Sequence, residues 1–330
     1  MTTEPNSSSI AVIVVNFGTA NLAIAAVESV LAREHGDRII EVHLVDNASP
    51  GNDASDFLRI HQERSWGERV TLWLETENHG FGRGNNVVID RLAHRSDPPD
   101  YVFLLNPDAA LENEALVILA DKLDASPEIG AVGAGISLPS GKPVAAAFRF
   151  PSAIREFVQA VNFGPLTRLM STSLVPLPAD HPEGAVDWVA GAAVMFRMSI
   201  LRAEKGFDPD FFLYYEEVEL MHRIRRAGYQ IHYVPRARVQ HAEGASTDEK
   251  SQRQERRGRP AYWYRSWMLY YVKTRGQRGA ILAGLAWIAG ALINIPLSIL
   301  RGKGPIMPKN FLKDFPRLVM LPLLMGKIDV

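Results

Sequence analysis

The 330-residue chain has no cysteine. That absence excludes a disulfide framework, a Cys-ligated zinc site, an iron–sulfur site and a cysteine nucleophile, and it fits a reducing compartment. A secretory leader is not expected either. Met1 to Ser9 is polar and carries no basic region ahead of an apolar stretch. Net charge is nearly absent, with 36 Lys+Arg against 37 Asp+Glu, and no nucleic-acid partner is expected. Apolar residues make up 47% of the chain, which excludes a largely disordered protein. The length suits two domains, or one large α/β domain with an appendage.

The near-neutral total conceals an asymmetry. Residues 249–330 hold 15 basic and 4 acidic side chains, whereas residues 1–248 hold 21 and 33. We therefore divide the chain into an acidic body, 1–248, and a basic, partly apolar extension, 249–330. Charge of this kind concerns partners rather than fold.

The body alternates between two periods. Ile10 to Val15 is a continuous β-branched run, as a strand buried on both faces requires. A helical pattern follows, with Leu22, Ala26, Val27, Val30 and Leu31 on one face. Strands are predicted over Ile39–Val45, Val70–Leu74, Tyr101–Leu105 and Ile129–Leu138. Helices are predicted over Asp53–Arg64, Phe81–His94 and Glu112–Leu123. This alternation predicts βαβ units and a mostly parallel sheet. Ligands bind beyond the carboxyl ends of such strands. Polar clusters fall there at Asn16, Asp46-Asn47, Asn78-His79-Gly80 and Asn106–Asp108. Between Ser140 and Asp180 the period fades, and a hairpin with a variable loop is expected. Order returns at Val186–Arg197, followed by a helix over Glu216–Ala227 ending at Gly228 and a short strand over Gln230–Val234. Glu249–Pro260 reads as a surface loop or lid.

Several clusters carry chemistry. Asp108, after a buried strand, can hold a divalent cation that in turn holds phosphate, or Asn106-Pro107-Asp108 can simply cap the next helix. Asp46-Asn47 can meet a base or ribose, or form a local turn with Ser49-Pro50-Gly51. The run Asn78 to Asn86 is glycine-rich and opens a helix, but Asn85 stands where a dinucleotide fingerprint needs its third glycine. Glu216, Glu217 and Glu219 open a helix. They can offset its dipole, or one can serve as a general base in an aromatic cleft. His241 can complete a metal site, and Trp188 can be core or an acceptor platform.

The order of these motifs is more specific than any one of them. Val-Val-Asn-Phe, Val-Asp-Asn-Ala-Ser, Asn-His-Gly-Phe-Gly-Arg-Gly-Asn-Asn, Leu-Asn-Pro-Asp, Trp-Val-Ala-Gly-Ala, Phe-Leu-Tyr-Tyr-Glu-Glu-Val-Glu-Leu and His-Ala-Glu-Gly-Ala-Ser follow one another from about Ile10 to Tyr271. This resembles family 2 glycosyltransferases of the GT-A fold, especially the rhamnosyltransferase-like branch. The resemblance implies an α/β, Rossmann-like, mostly parallel sheet flanked by helices, here with a helical basic C-terminal extension. It implies that Asn16, Asp46, Asn47, Asn78, Gly80, Phe81, Gly84, Asn85 and Asn106 border the donor. It places Asp108 and His241 on Mg²⁺ or Mn²⁺, and Trp188 and Gly191 beside the acceptor. Glu217 stands where the family's base is usually Asp, with Glu216 able to share the role.

The expected activity is inverting, metal-dependent transfer of a sugar, rhamnose first, from a dTDP- or UDP-sugar to a glycan or lipid-linked acceptor. A nucleotidyltransferase and a non-catalytic nucleotide- or glycan-binding module of the same fold are the rival readings. Gly279–Leu300 is 22 uncharged residues, long enough to span a bilayer, though Asn294 and Pro296 interrupt it. Flanking cations favour attachment to an anionic membrane surface with the body in the cytoplasm, against a helical hairpin packed on the catalytic domain.

Overall fold

The computed structural model describes residues 8–242, 258–302 and 304–327. The expected boundary at 248/249 and most of the Glu249–Pro260 loop lie outside them.

The first half of the body is a regular alternation. β1 (Ile10–Asn16), α1 (Ala20–Leu31), β2 (Ile40–Asp46), α2 (Asp53–Glu63), β3 (Val70–Leu74), α3 (Gly80–Ala93) and β4 (Tyr101–Leu105) follow in order. β3, β2, β1 and β4 lie side by side and parallel. The apolar run of β1 is explained by its two covered faces. Ile10, Val12 and Val14 enter one core with Val27 and Phe57 of α1 and α2, while Ala11, Ile13 and Val15 enter another with Val88 and Leu92 of α3.

The second half is mixed. β5 (Ala109–Leu111), α4 (Ala115–Asp124), β6 (Ile129–Ser137), β7 (Pro143–Val144) and β8 (Ala147–Phe148) come next. The helix expected from Glu112 starts at Ala115, because Ala109–Leu111 pairs as a strand instead. The loop expected over Ser140–Asp180 holds two helices, α5 (Ala153–Val161) and α6 (Gly164–Leu169). Nine and six residues are too few for a period to stand out, although Pro151-Ser152 ahead of Ala153 was a start signal.

Then come β9 (Gly184–Val186), β10 (Trp188–Val189), β11 (Ala193–Arg197), α7 (Met198–Ala203), α8 (Glu216–Arg226) and β12 (Gln230–His241). β11 runs antiparallel between β4 and β6, and β12 runs parallel to β6. The sheet order is β3-β2-β1-β4-β11-β6-β12-β5, with β7 on β6 and β9 on β12. β12 is much longer than the expected Gln230–Val234. It continues through an irregularity between Val234 and Arg238 and pairs His241 with Ala109 of β5. A proline at 235 hides this continuation in the sequence.

The extension is helical, as expected. α9 (Ala261–Leu300) is bent at Gly276, whose φ of 70° and ψ of 169° are not helical. α10 (Phe311–Phe315), a π-type turn over Pro316–Met320 and α11 (Leu321–Met325) follow. Tyr264, Trp267, Tyr270, Tyr271, Phe311 and Phe315 join Phe150, Phe211 and Val218 of the body in a third core. The extension therefore packs on the body rather than trailing from it.

Candidate active site

Asn16, at the end of β1, organises the first corner of the site. Its side-chain nitrogen lies 3.2 Å from Asp46 Oδ1, 3.1 Å from Ser49 Oγ and 2.8 Å from Asp53 Oδ2. Its Oδ1 accepts from the Thr19 N–H and hydroxyl at 3.1 and 2.9 Å. Asp53 Oδ2 also accepts from the Ala20 N–H at 3.0 Å and so caps α1 from another helix. Sequence reasoning passed over Asp53, since a carboxylate in a helix's first turn is ordinarily explained by that helix alone.

Asn47 is a strut between loops. It donates to Asn78 Oδ1 (3.1 Å) and the Gly80 carbonyl (3.0 Å) and accepts from the His79 N–H (3.0 Å). The glycines that follow allow close approach. Gly80 has φ 74°, and a Cβ there would collide with the Phe212 carbonyl oxygen, which accepts from the Phe81 N–H at 3.1 Å. A Cβ on Gly84 would come within 3.0 Å of Val15 Cγ1, and Asn85 donates to the Phe81 carbonyl at 2.9 Å. Gly84 and Asn85 thus seat α3 against β1.

The second corner joins distant strands. His241 Nε2 lies 3.0 Å from Asp108 Oδ1 and 3.3 Å from Asn106 Nδ2. The Asp108 side chain is only 2% exposed and that of His241 15%. Among the described residues no group of three or more His, Asp or Glu side chains is arranged to hold a metal ion. One carboxylate and one imidazole suit a hard divalent cation that takes its remaining oxygens from phosphate and water.

The third corner is the start of α8. Tyr214 and Tyr215 both adopt left-handed backbone, φ 72° and 69°, a strained arrangement for bulky residues. Ring contacts hold them: Tyr214 stacks on Tyr262, and Tyr215 meets Trp263 and Tyr270. The turn aims the next two carboxylates differently. Glu216 is buried, with its Cγ close to Gly82 of α3, whereas Glu217 lines a cavity. Burial pushes both carboxyls above the ordinary carboxylate range, and the neighbouring Glu217 charge adds to the shift at Glu216. Oε2 of each has no hydrogen-bond partner among the described residues. Glu219 instead faces Arg223 at 2.9 Å.

The segment before β11 connects the last two corners. A Cβ on Gly191 would stand 3.4 Å from Glu217 Cγ, and the carbonyl of the next residue, Ala192, accepts from the Asn106 N–H at 2.9 Å.

The cavity beside Glu217 has a volume of about 680 Å³. Trp188, Tyr262, Trp263 and Trp287 form much of its wall, with Arg259 and Glu156 supplying charge. Trp188 stacks on Phe148 at 4.1 Å and donates to the Arg149 carbonyl at 3.0 Å. Sequence reasoning found Trp188 and Gly191 but missed Glu156, Arg259, Trp263 and Trp287. Glu156 lies within the loop expected over Ser140–Asp180, and the others lie in the 249–330 extension.

Comparison with known proteins gives the family and the fold. The family model for glycosyltransferase like family 2 matches residues 5–261. N-acetylglucosaminyl-diphospho-decaprenol L-rhamnosyltransferase of Mycobacterium tuberculosis is 29% identical over 219 residues, 64% of this chain and 69% of that protein. Rhamnosyltransferase WbbL of Escherichia coli is 26% identical over 161 residues, 48% of this chain and 58% of that one. Among solved structures, the mannosyltransferase PcManGT from Pyrobaculum calidifontis, in complex with GDP-Man and Mn²⁺, has a TM-score of 0.58 at 15% identity, covering 98% of this chain and 89% of its own. Staphylococcus aureus TarS 1–349 in complex with UDP-GlcNAc has a TM-score of 0.57 at 11% identity, covering 97% and 83%. These likenesses show the GT-A fold.

Proposed function

From the premise that the chain belongs to glycosyltransferase family 2, and so transfers sugar from a nucleotide-sugar donor, we propose an inverting rhamnosyltransferase that uses a dTDP- or UDP-sugar and a lipid-linked sugar acceptor. The observation that carries this reading is the Gly191–Ala192 segment. It lies beside the candidate base Glu217 on one side and is hydrogen-bonded to the Asn106–Asp108 loop on the other, so acceptor activation and leaving-group binding share one frame.

In this reading Asn16, Asp46 and Asn47 shape the nucleoside end of the donor site, and the loop from Asn78 to Phe81 closes beside it. Asp108 and His241 would hold Mg²⁺ or Mn²⁺, which when bound offsets the charge of the leaving diphosphate. Glu217 takes the proton of the acceptor hydroxyl on its unpartnered oxygen. The acceptor oxygen bonds to the anomeric carbon from one face, and the bond from that carbon to the diphosphate oxygen breaks on the other. A carboxyl held above its ordinary range is a stronger base for that step. Trp188 and Gly191 flank the acceptor.

Two observations support the acceptor class. The relative from M. tuberculosis is named for an acceptor linked through a diphosphate to decaprenol. The extension also turns large apolar side chains outward. In α9, Ala280, Ala283, Gly284, Gly290, Ala291, Asn294 and Ser298 are buried, whereas Leu282, Leu285, Leu292, Ile293, Ile299 and Leu300 are exposed. Asn294 is used inside the protein, donating to the Val161 carbonyl at 3.0 Å. A helix with small residues inward and Leu/Ile outward, bordered by Arg278, Arg301, Lys309, Lys313, Arg317 and Lys327, suits an anionic membrane surface. In this reading the body, 1–248, faces the cytoplasm and the extension, 249–330, anchors it at the membrane's inner face.

The test pairs a donor screen with Glu217→Gln. The wild-type chain should turn over dTDP-rhamnose or a UDP-sugar in preference to GDP-sugars. E217Q should lower kcat by about 10²–10⁴-fold while donor affinity stays near wild type. Collapse of donor binding would assign Glu217 to the donor site instead.

A further inference from the structure

The cavity that contains Glu217 holds a second carboxylate. Glu156 lies on α5, and with Gln159 and Ala160 it forms the face of that helix turned to the cavity. Two donors from α9 fix it. Trp267 Nε1 donates at 3.1 Å and the Tyr271 hydroxyl at 2.7 Å, both to Oε1. Oε2 receives no hydrogen bond among the described residues. A carboxylate with one oxygen clamped and the other left free is preorganised to accept one further hydrogen bond.

The alternative is that Glu156 only ties α5 to α9. That tie needs one acceptor oxygen, and an amide would supply it without the cost of burying an acid. Burial pushes the Glu156 carboxyl up to about 7, yet the residue keeps partial exposure, so its second oxygen is open to the cavity it lines. The surrounding wall supplies what a sugar ring requires. Trp188, Trp263 and Trp287 present apolar faces, and Arg259, placed over the Trp263 ring at 5.4 Å, brings a cation suited to a diphosphate.

We propose that Glu156 is an acceptor-recognition residue. Its free oxygen accepts a hydrogen bond from a hydroxyl of the acceptor sugar other than the one that attacks, and so sets which hydroxyl reaches Glu217. This rests on the glycosyltransferase reading above and extends it from the base to the specificity of the same cavity.

The test uses the full chain, Mn²⁺ and dTDP-rhamnose or the preferred donor of the screen. The acceptors are short-chain polyprenyl-diphosphate N-acetylglucosamine and its singly deoxygenated analogues. Glu156→Gln keeps an oxygen for Trp267 and Tyr271 but turns an N–H toward the cavity. It should raise acceptor KM by about ten- to a hundredfold, the loss typical of one hydrogen bond to a charged group, with kcat and donor KM near wild type and a melting temperature no lower than wild type. One deoxy acceptor should show the same penalty with the wild type, and that penalty should vanish in E156Q, because the two changes delete one contact. An unchanged acceptor KM in a folded E156Q, or strictly additive penalties for every deoxy acceptor, would overturn the proposal. If E156Q does not fold, Tyr271→Phe removes the shorter clamp and should raise acceptor KM alone, and an unchanged KM would again overturn it. A wild-type chain that turns over no lipid-linked sugar would instead sink the acceptor reading itself, and this proposal with it.

Discussion

Asp108 and His241 stand 133 positions apart in sequence and 3.0 Å apart in space. Their pairing makes the sharpest prediction at the residue scale. Asp108→Ala should reduce transfer on the order of 10³-fold or more and abolish the metal-dependent part of donor binding, since it deletes the only carboxylate proposed to hold the cation. Its melting temperature should stay close to wild type. Titration calorimetry of the nucleotide with and without Mn²⁺ checks this, and metal-stimulated binding that survives in D108A would refute the assignment. Legibility differs among these residues. Asp108 and Glu217 stood out because each opens or closes an element in a recognisable polar run. Asp53 did not, because its partner is a helix N-terminus that precedes it by 33 positions.

Among the elements, α3 depends most on one backbone position. Gly80 begins the helix with a left-handed φ, and the Phe212 carbonyl fills the space a side chain would need. Gly80→Ala should therefore destabilise the fold by about 2–4 kcal/mol, combining the cost of strained φ with displacement of the 207–215 loop. Urea unfolding measures it, and a loss below 1 kcal/mol would show that the loop moves aside freely. Because that loop leads into Glu216 and Glu217, G80A should also lower kcat at temperatures where it remains folded. The helix α9 shows the limit of element-level sequence reading. Its Ala, Gly and Asn residues dilute the apolar run when counted along the chain, yet in the fold they gather on one packed face and leave Leu and Ile outside.

For the molecule as a whole, two properties should be measurable. The exposed apolar face of α9 and α11, with its surrounding cations, should bind liposomes containing anionic lipid more strongly than neutral ones, and added salt should weaken the binding. Leu282→Asp with Leu285→Asp should cut binding without affecting the melting temperature. Equal recovery of wild type from neutral and anionic vesicles would refute surface attachment. The second property is stability against pH. Glu156, Glu216, Glu217 and Glu219 all have carboxyls raised in the fold, chiefly by burial. A raised group favours the folded state in its neutral form. Its contribution is complete below about pH 4.5 and disappears as pH climbs through the folded value. For Glu156, with a folded value of about 7, moving from pH 5.5 to 8 should remove about 2 kcal/mol. Melting temperature should fall over that interval, and E156Q should flatten the slope. A wild-type profile that rises from pH 5.5 to 8 would contradict the burial of these acids.

The sequence by itself determined the alternation of β1 through β4 with their helices, the carboxyl-end loops and the order of the polar motifs. These features are local: strand and helix periods span a few residues, and turn residues act on their own backbone. Its period was too short to reveal α5 within Ser140–Asp180, and Pro235 concealed the continuation of β12. Only the tertiary structure decided that β12 runs on to place His241 beside Asp108. It alone brought Glu156, Arg259, Trp263 and Trp287 around the cavity of Glu217, and it alone chose which side of α9 faces outward. Each of these outcomes depends on packing between segments far apart in sequence, where neither chain position nor local period records the partner.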